Sequence, residues 1–163
     1  MSSVAQSMQR TGLLSSLVGL YERVVRALAP LADVLDLVLR IWVGKVFFMS
    51  GLVKIASWSA TIGLFENEYH VPLLPPNVAA VMGTAAELGL PVFLVLGLGG
   101  RFAAAAMFVF NIIAVISYPD LSEVGLKDHY YWGIMLLVTL LHGPGRISVD
   151  WLVGRWLGRP AAR

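Results

Sequence analysis

The sequence contains no cysteine and only three histidines in 163 residues. That absence removes disulfides, thiolate nucleophiles, iron–sulfur clusters and covalently attached haem together. Charge is scarce too: Asp, Glu, Lys and Arg make up 13% of the chain, against about a quarter in a soluble domain. No Gly-rich fingerprint opens a helix after a strand, so no dinucleotide fold is indicated. No internal repeat is visible, and a compact apolar leader with a small-residue cleavage site is missing from the first 33 residues.

Apolar residues fill the space that charge leaves, at 58% of the sequence. They are gathered in runs at 36–56, 77–98, 101–117 and 130–141. The first three reach or approach the ~20 residues a bilayer demands. The fourth is shorter, with 126–128 and 142–145 available to cover its ends. Basic residues sort by segment. Arg10, Arg23 and Arg26 precede the first run, Arg101 separates the second and third, and Arg146, Arg155, Arg159 and Arg163 follow the fourth. The other two connections hold only Lys127 among Glu66, Glu68, Asp120, Glu123 and Asp128. Positive-inside counting therefore predicts four spans in a bacterial-type plasma membrane with both termini cytoplasmic.

Three segments follow. Residues 1–33 place Leu17, Leu20, Tyr21, Val24 and Leu28 opposite Ser16, Gly19, Glu22, Arg23 and Arg26, the pattern of an amphipathic helix on the inner leaflet. Residues 34–145 form the membrane domain, and 146–163 a basic cytoplasmic tail with a short interfacial helix. Ser148 and Asp150 read as the N-cap and first-turn acid of that helix; a catalytic serine would need a positioned base.

Charges inside the runs mark functional candidates, because a bilayer tolerates them only when paired or hydrated. The first run carries Arg40, Lys45 and Lys54, and the second carries Glu87. Arg40, Gly44, Phe47, Gly51 and Lys54 share one helical stripe, and Gly44 and Gly51 admit a neighbouring helix closely. Arg40 is the expected partner of Glu87, with Lys45, near mid-depth on another face, as the alternative; Arg40 and Lys54 are placed near opposite membrane boundaries. Pro91 cannot donate to the Glu87 carbonyl, so one turn presents a carboxylate and a freed acceptor. The pair either fixes helix register or handles chemistry. Asn111 adds a polar group in the third run. Glu66, His70 and His129 are outer metal candidates, although acidic outer loops explain them without a metal.

Several motifs resemble those of the DoxX family of small four-span membrane proteins. They are Arg40-x3-Gly44-x2-Phe47-x3-Gly51-x2-Lys54, then Glu87-Leu88-Gly89 followed by Leu96-Gly97-Leu98-Gly99-Gly100-Arg101, and the closing run from Gly143-Pro144-Gly145 to Ser148 and Asp150. The resemblance covers roughly 34–154; Lys45 is outside its pattern. It implies an all-α fold, an antiparallel four-helix transmembrane bundle. It also implies an association with quinone-dependent or other membrane oxidoreductase systems.

The chain carries no recognisable electron carrier of its own. The expected role is an accessory or quinone-interacting subunit, with a quinone as the candidate cofactor and a redox protein as partner. Arg40, Lys45 or Asn111 would serve the ring carbonyl and Glu87 a proton. The alternative is a non-catalytic scaffold or assembly subunit. A transporter ranks below both, since four spans without inverted repeats are few unless the chain oligomerises. No nucleic-acid partner is expected. The cysteine-free background permits a direct test of topology: cysteine introduced at Asn67 should react with a membrane-impermeant thiol reagent in intact cells, and cysteine at Ser2 should not.

Overall fold

In a computed structural model the described part of the chain is the backbone of residues 2–158 and the side chains of residues 16–158. The side chain of Arg10, and Arg159 and Arg163 of the basic tail, lie outside it. The described residues form six helices and no strand. These are α1 (Ser2–Ala56), α2 (Trp58–Asn67), α3 (Pro76–Leu96), α4 (Gly100–Ser117), α5 (Glu123–His142) and α6 (Val149–Trp156). The all-helical expectation holds. Of these helices, α3 and α4 meet the length and composition needed to cross a bilayer.

Local chemistry sets the boundaries. Pro76 occupies the first turn of α3, where a missing N–H costs nothing because that donor has no helical partner. Gly97 ends the helix at φ 63°, and Gly99 precedes α4 at φ 57°, conformations that glycine adopts without a Cβ penalty. This short turn folds α4 back along α3. Ser122 caps α5 by accepting from the Gly125 amide at 3.1 Å. Ser148 caps α6 in the same way, accepting from Trp151 N at 3.2 Å. Helix α2 lies where the sequence reading expected only an outer connection. It is too short for a span, but its Phe65 packs with Ala79 and Ala80 of α3 in a small core of its own.

The chain divides into two compact units at Val34/Leu35. The first is helical and carries Leu17, Leu20, Tyr21, Val24 and Leu28 exposed. The second contains the main core: Val43, Phe47, Leu94, Ala103, Ala104, Met107 and Leu136. Helix α3 packs on α4 and α4 on α5.

Within the second unit, α1 meets α3 through glycine. A Cβ on Gly44 would come within 2.7 Å of Val95 and 3.7 Å of the Pro91 Cβ, and one on Gly51 within 2.8 Å of Leu88 and 3.1 Å of the Glu87 Cβ. As α1 advances from Gly44 to Gly51, the facing position on α3 retreats from Val95 to Glu87, so the two helices run antiparallel. Gly51→Ala should therefore destabilise the protein by about 1–3 kcal/mol through overpacking. Gly89, which has nothing within 4 Å of an added Cβ, should tolerate alanine or gain up to about 1 kcal/mol in helix propensity. Thermal unfolding of the two variants in one detergent checks the pair.

Candidate functional site

The antiparallel register decides which cation reaches Glu87. Gly51 sits against Glu87, so the level of the carboxylate on α1 belongs to Ser50 and Lys54. The Lys54 Nζ donates to Glu87 Oε1 at 2.8 Å and to Ser50 Oγ at 2.9 Å. Ser50 Oγ donates in turn to Oε1 at 3.1 Å. The Nζ also lies 2.8 Å from Oε2, but this is an ion contact without hydrogen-bond geometry, and Oε2 has no donor. Both side chains are nearly sealed, 11% and 9% exposed. Such a pair is held by mutual need: each charge alone would be a buried, unpaired ion.

The expected Arg40–Glu87 pair does not form. Arg40 lies eleven residues before Gly51, ~16 Å along the helix axis, beyond the reach of its guanidinium to Glu87. It is fully buried and donates to the carbonyls of Leu94 (3.3 Å), Val95 (2.8 Å) and Ile147 (2.6 Å). Two of these are among the last carbonyls of α3, at the negative end of the helix dipole; the Leu94 carbonyl is shared with the Gly97 amide at 3.1 Å. Asp36 and Asp150 supply the nearby negative charge. Asp150 does more than open its own helix: its carboxylate accepts from the Gly99 and Gly100 amides, 2.8 Å each, and so caps α4. Gly97 makes room for this junction, since a Cβ there would lie 2.5 Å from Ser148 and 2.8 Å from Arg40.

Lys45 is exposed, next in sequence to Gly44 and therefore nearer the Arg40 end than the Glu87 level. It joins neither cluster. Pro91 is buried within an unbroken α3 and packs against Gly44.

The ion pair borders a cavity of about 350 Å³, within the size range of small-molecule sites. Apolar and aromatic side chains form most of its wall. Phe47 meets Phe110 and Trp132 edge-on at centroid distances of 5.9 and 5.6 Å. Phe65, Tyr69 and Tyr118 form a second edge-on series at 5.0 and 5.1 Å. Burial, followed by the nearby Tyr118, Glu87 and Glu68, raises the Tyr69 phenol above its ordinary range, so it stays a neutral donor. His129 also lines the cavity, and it is tied to Asn111 of α4. Glu66 and His70 are exposed elsewhere, and among the described residues no three His, Cys, Asp or Glu side chains converge as a metal site.

Sequence reasoning named Asn111 and, from the wall, Phe47, Lys54, Glu87 and His129, but not its other residues. Tyr69, Tyr118 and Trp132 look like boundary aromatics along the chain, and Phe65 belongs to the helix that was not expected. Register offers a direct test of the two cation assignments. Removing either Lys54 or Glu87 alone should cost about 3–5 kcal/mol, and replacing both by apolar residues of similar volume should recover much of that. Arg40→Met combined with Glu87→Leu should be additive within about 0.5 kcal/mol, because the two side chains share no partner. Double-mutant cycles read by denaturation distinguish the pairs.

Comparison with known proteins adds a family but no activity. An uncharacterised protein of Haemophilus influenzae is 28% identical over 126 residues, covering 72% of this chain and 82% of that protein. No solved structure matches the chain. The DoxX family profile matches residues 35–119, from the second half of α1 to just past α4, which includes Arg40, Lys54, Glu87 and Asn111 but not the closing Gly143–Asp150 motif. This match spans more than half of the 163 residues, and the chain belongs to the DoxX family.

Proposed function

We propose that this is a plasma-membrane protein with four spans, and that its cavity holds the ring of a lipid quinone beside the Lys54–Glu87 pair. The spans are the second part of α1 with α3, α4 and α5. Arginine distribution favours both termini in the cytoplasm, which sets the cavity in the extracytoplasmic half. The chain then acts as an accessory, quinone-interacting subunit of a redox system, with a partner protein supplying the electron carrier that its own sequence lacks.

One observation carries this reading: a buried, ionised pair borders a space that aromatic rings enclose, instead of being packed shut. A purely register-fixing pair needs no such space. Aromatic walls suit a flat ring by edge and stacking contacts, the Tyr69 and Tyr118 hydroxyls suit carbonyl oxygens, and Glu87 is the protonatable group at hand.

The test uses the full chain reconstituted in nanodiscs. A short-tailed benzoquinone should bind saturably at one site. Ala114→Trp, which places bulk in the cavity wall, should weaken that binding at least about tenfold while the melting temperature is retained. A folded protein that binds no quinone but purifies with a stoichiometric protein partner would favour the scaffold function instead.

A further inference from the structure

The hydrogen-bonding groups along the cavity are not evenly divided between donors and acceptors. Lys54 directs its protons to Ser50 and to the Glu87 carboxylate, and Ser50 spends its own on Glu87. Both Glu87 carboxylate oxygens lie 2.8 Å from the Lys54 ammonium, so the pair is largely satisfied within itself.

His129 adds an acceptor. The Asn111 amide donates through Nδ2 to the His129 backbone carbonyl at 3.0 Å. A carbonyl only accepts, so this contact fixes the orientation of the amide and turns its Oδ1 toward the ring. The His129 Nδ1 lies 2.8 Å from that oxygen, and an amide oxygen also only accepts. In its neutral form the imidazole therefore carries its proton on Nδ1, which leaves Nε2 as a lone pair. The ring is held edge-on to Trp132 at 4.7 Å, and both side chains line the cavity.

We infer that the cavity selects the reduced, hydroxyl-bearing form of its ring ligand, a quinol or phenol, and that Asn111 positions His129 so that Nε2 accepts the ligand's hydroxyl proton in a hydrogen bond. This inference rests on the ring-binding reading of the cavity. An oxidised quinone offers acceptors alone. The hydroxyls of Tyr69, Tyr118 and Ser117 can turn to either form and so do not discriminate. The His129 Nε2 lone pair does, because in that tautomer it can only accept and so pairs with a ligand hydroxyl and not with a carbonyl oxygen. Tighter binding of the reduced form also means that the site raises the apparent potential of the bound couple.

A redox-inert alkylphenol and its methyl ether isolate the donor, since they share a ring and a tail. Titrated into the reconstituted full chain, the phenol should bind about tenfold or more tightly than the ether. The quinol should outbind its quinone in the same sense. His129→Phe, which keeps an aromatic edge against Trp132, should bring phenol and ether level without lowering the affinity for the ether. On the unmodified chain, the nitrogen-15 resonance of one unprotonated histidine Nε2 should shift with the phenol and stay fixed with the ether, a readout that a packing role would not move. Equal binding of phenol and ether, or a preference that survives His129→Phe, would overturn the inference while leaving ring binding intact. If neither quinone nor phenol binds the folded protein, the ring-binding reading fails and this inference fails with it.

Discussion

The close approach of α1 to α3 governs everything that follows in the second unit. Two glycines bring the backbones near enough that Leu88 and Val95 occupy the room of absent side chains. Once Gly51 is seated against Glu87, the remaining residues of α1 have no freedom in height. Lys54 falls beside the carboxylate, Phe47 enters the core, and Arg40 arrives at the last turn of α3. A one-turn slip would separate Lys54 from Glu87 and pull Arg40 from the carbonyls it satisfies. Both charges would then be buried alone, which is far costlier than a lost apolar contact. Small residues permit the approach, and the charges specify its register.

The two ends of this packed pair have different chemical characters. At the Arg40 end most polar groups are engaged in closing the fold: the two terminal nitrogens of the guanidinium on backbone carbonyls, Asp150 on the first amides of α4, Ser148 on its own helix, with Arg40 Nε alone of that guanidinium left without a partner. Pro144 fills the space beside Gly100. At the Glu87 end the packing stops short and leaves the cavity, with the buried Ser117 Oγ on its wall lacking a hydrogen-bond partner. Buried groups in that condition are uncommon in well-packed proteins.

Periodicity and composition were enough to mark the apolar helices, because a 3.6-residue repeat and a run length are properties of one segment at a time. The stripe holding Gly44, Phe47 and Gly51 was legible for the same reason. The identity of the Glu87 partner was not: Arg40 and Lys54 lie on the same stripe, so a face argument cannot choose between them. Only the antiparallel offset between two helices does, and that offset is a relation between segments distant in sequence. Asp150 shows the same limit. Its position predicts a first-turn acid for α6, yet its carboxylate serves α4, some fifty residues earlier in the chain. Helix α2 was missed because ten residues are too few to register as a span, and the aromatic wall because tyrosines near apolar run ends have a ready explanation as boundary anchors.

The dependence of Arg40 on Ile147 has a temporal side. The arginine leaves the ribosome more than a hundred residues before the carbonyl that completes its coordination. Throughout the synthesis of α3, α4 and α5 it must wait, first for the end of α3 and then for the segment after α5. A chain interrupted before the closing Gly-Pro-Gly segment holds a cation whose site is unfinished. The C-terminal segment thus completes the coordination of a side chain made more than a hundred residues earlier.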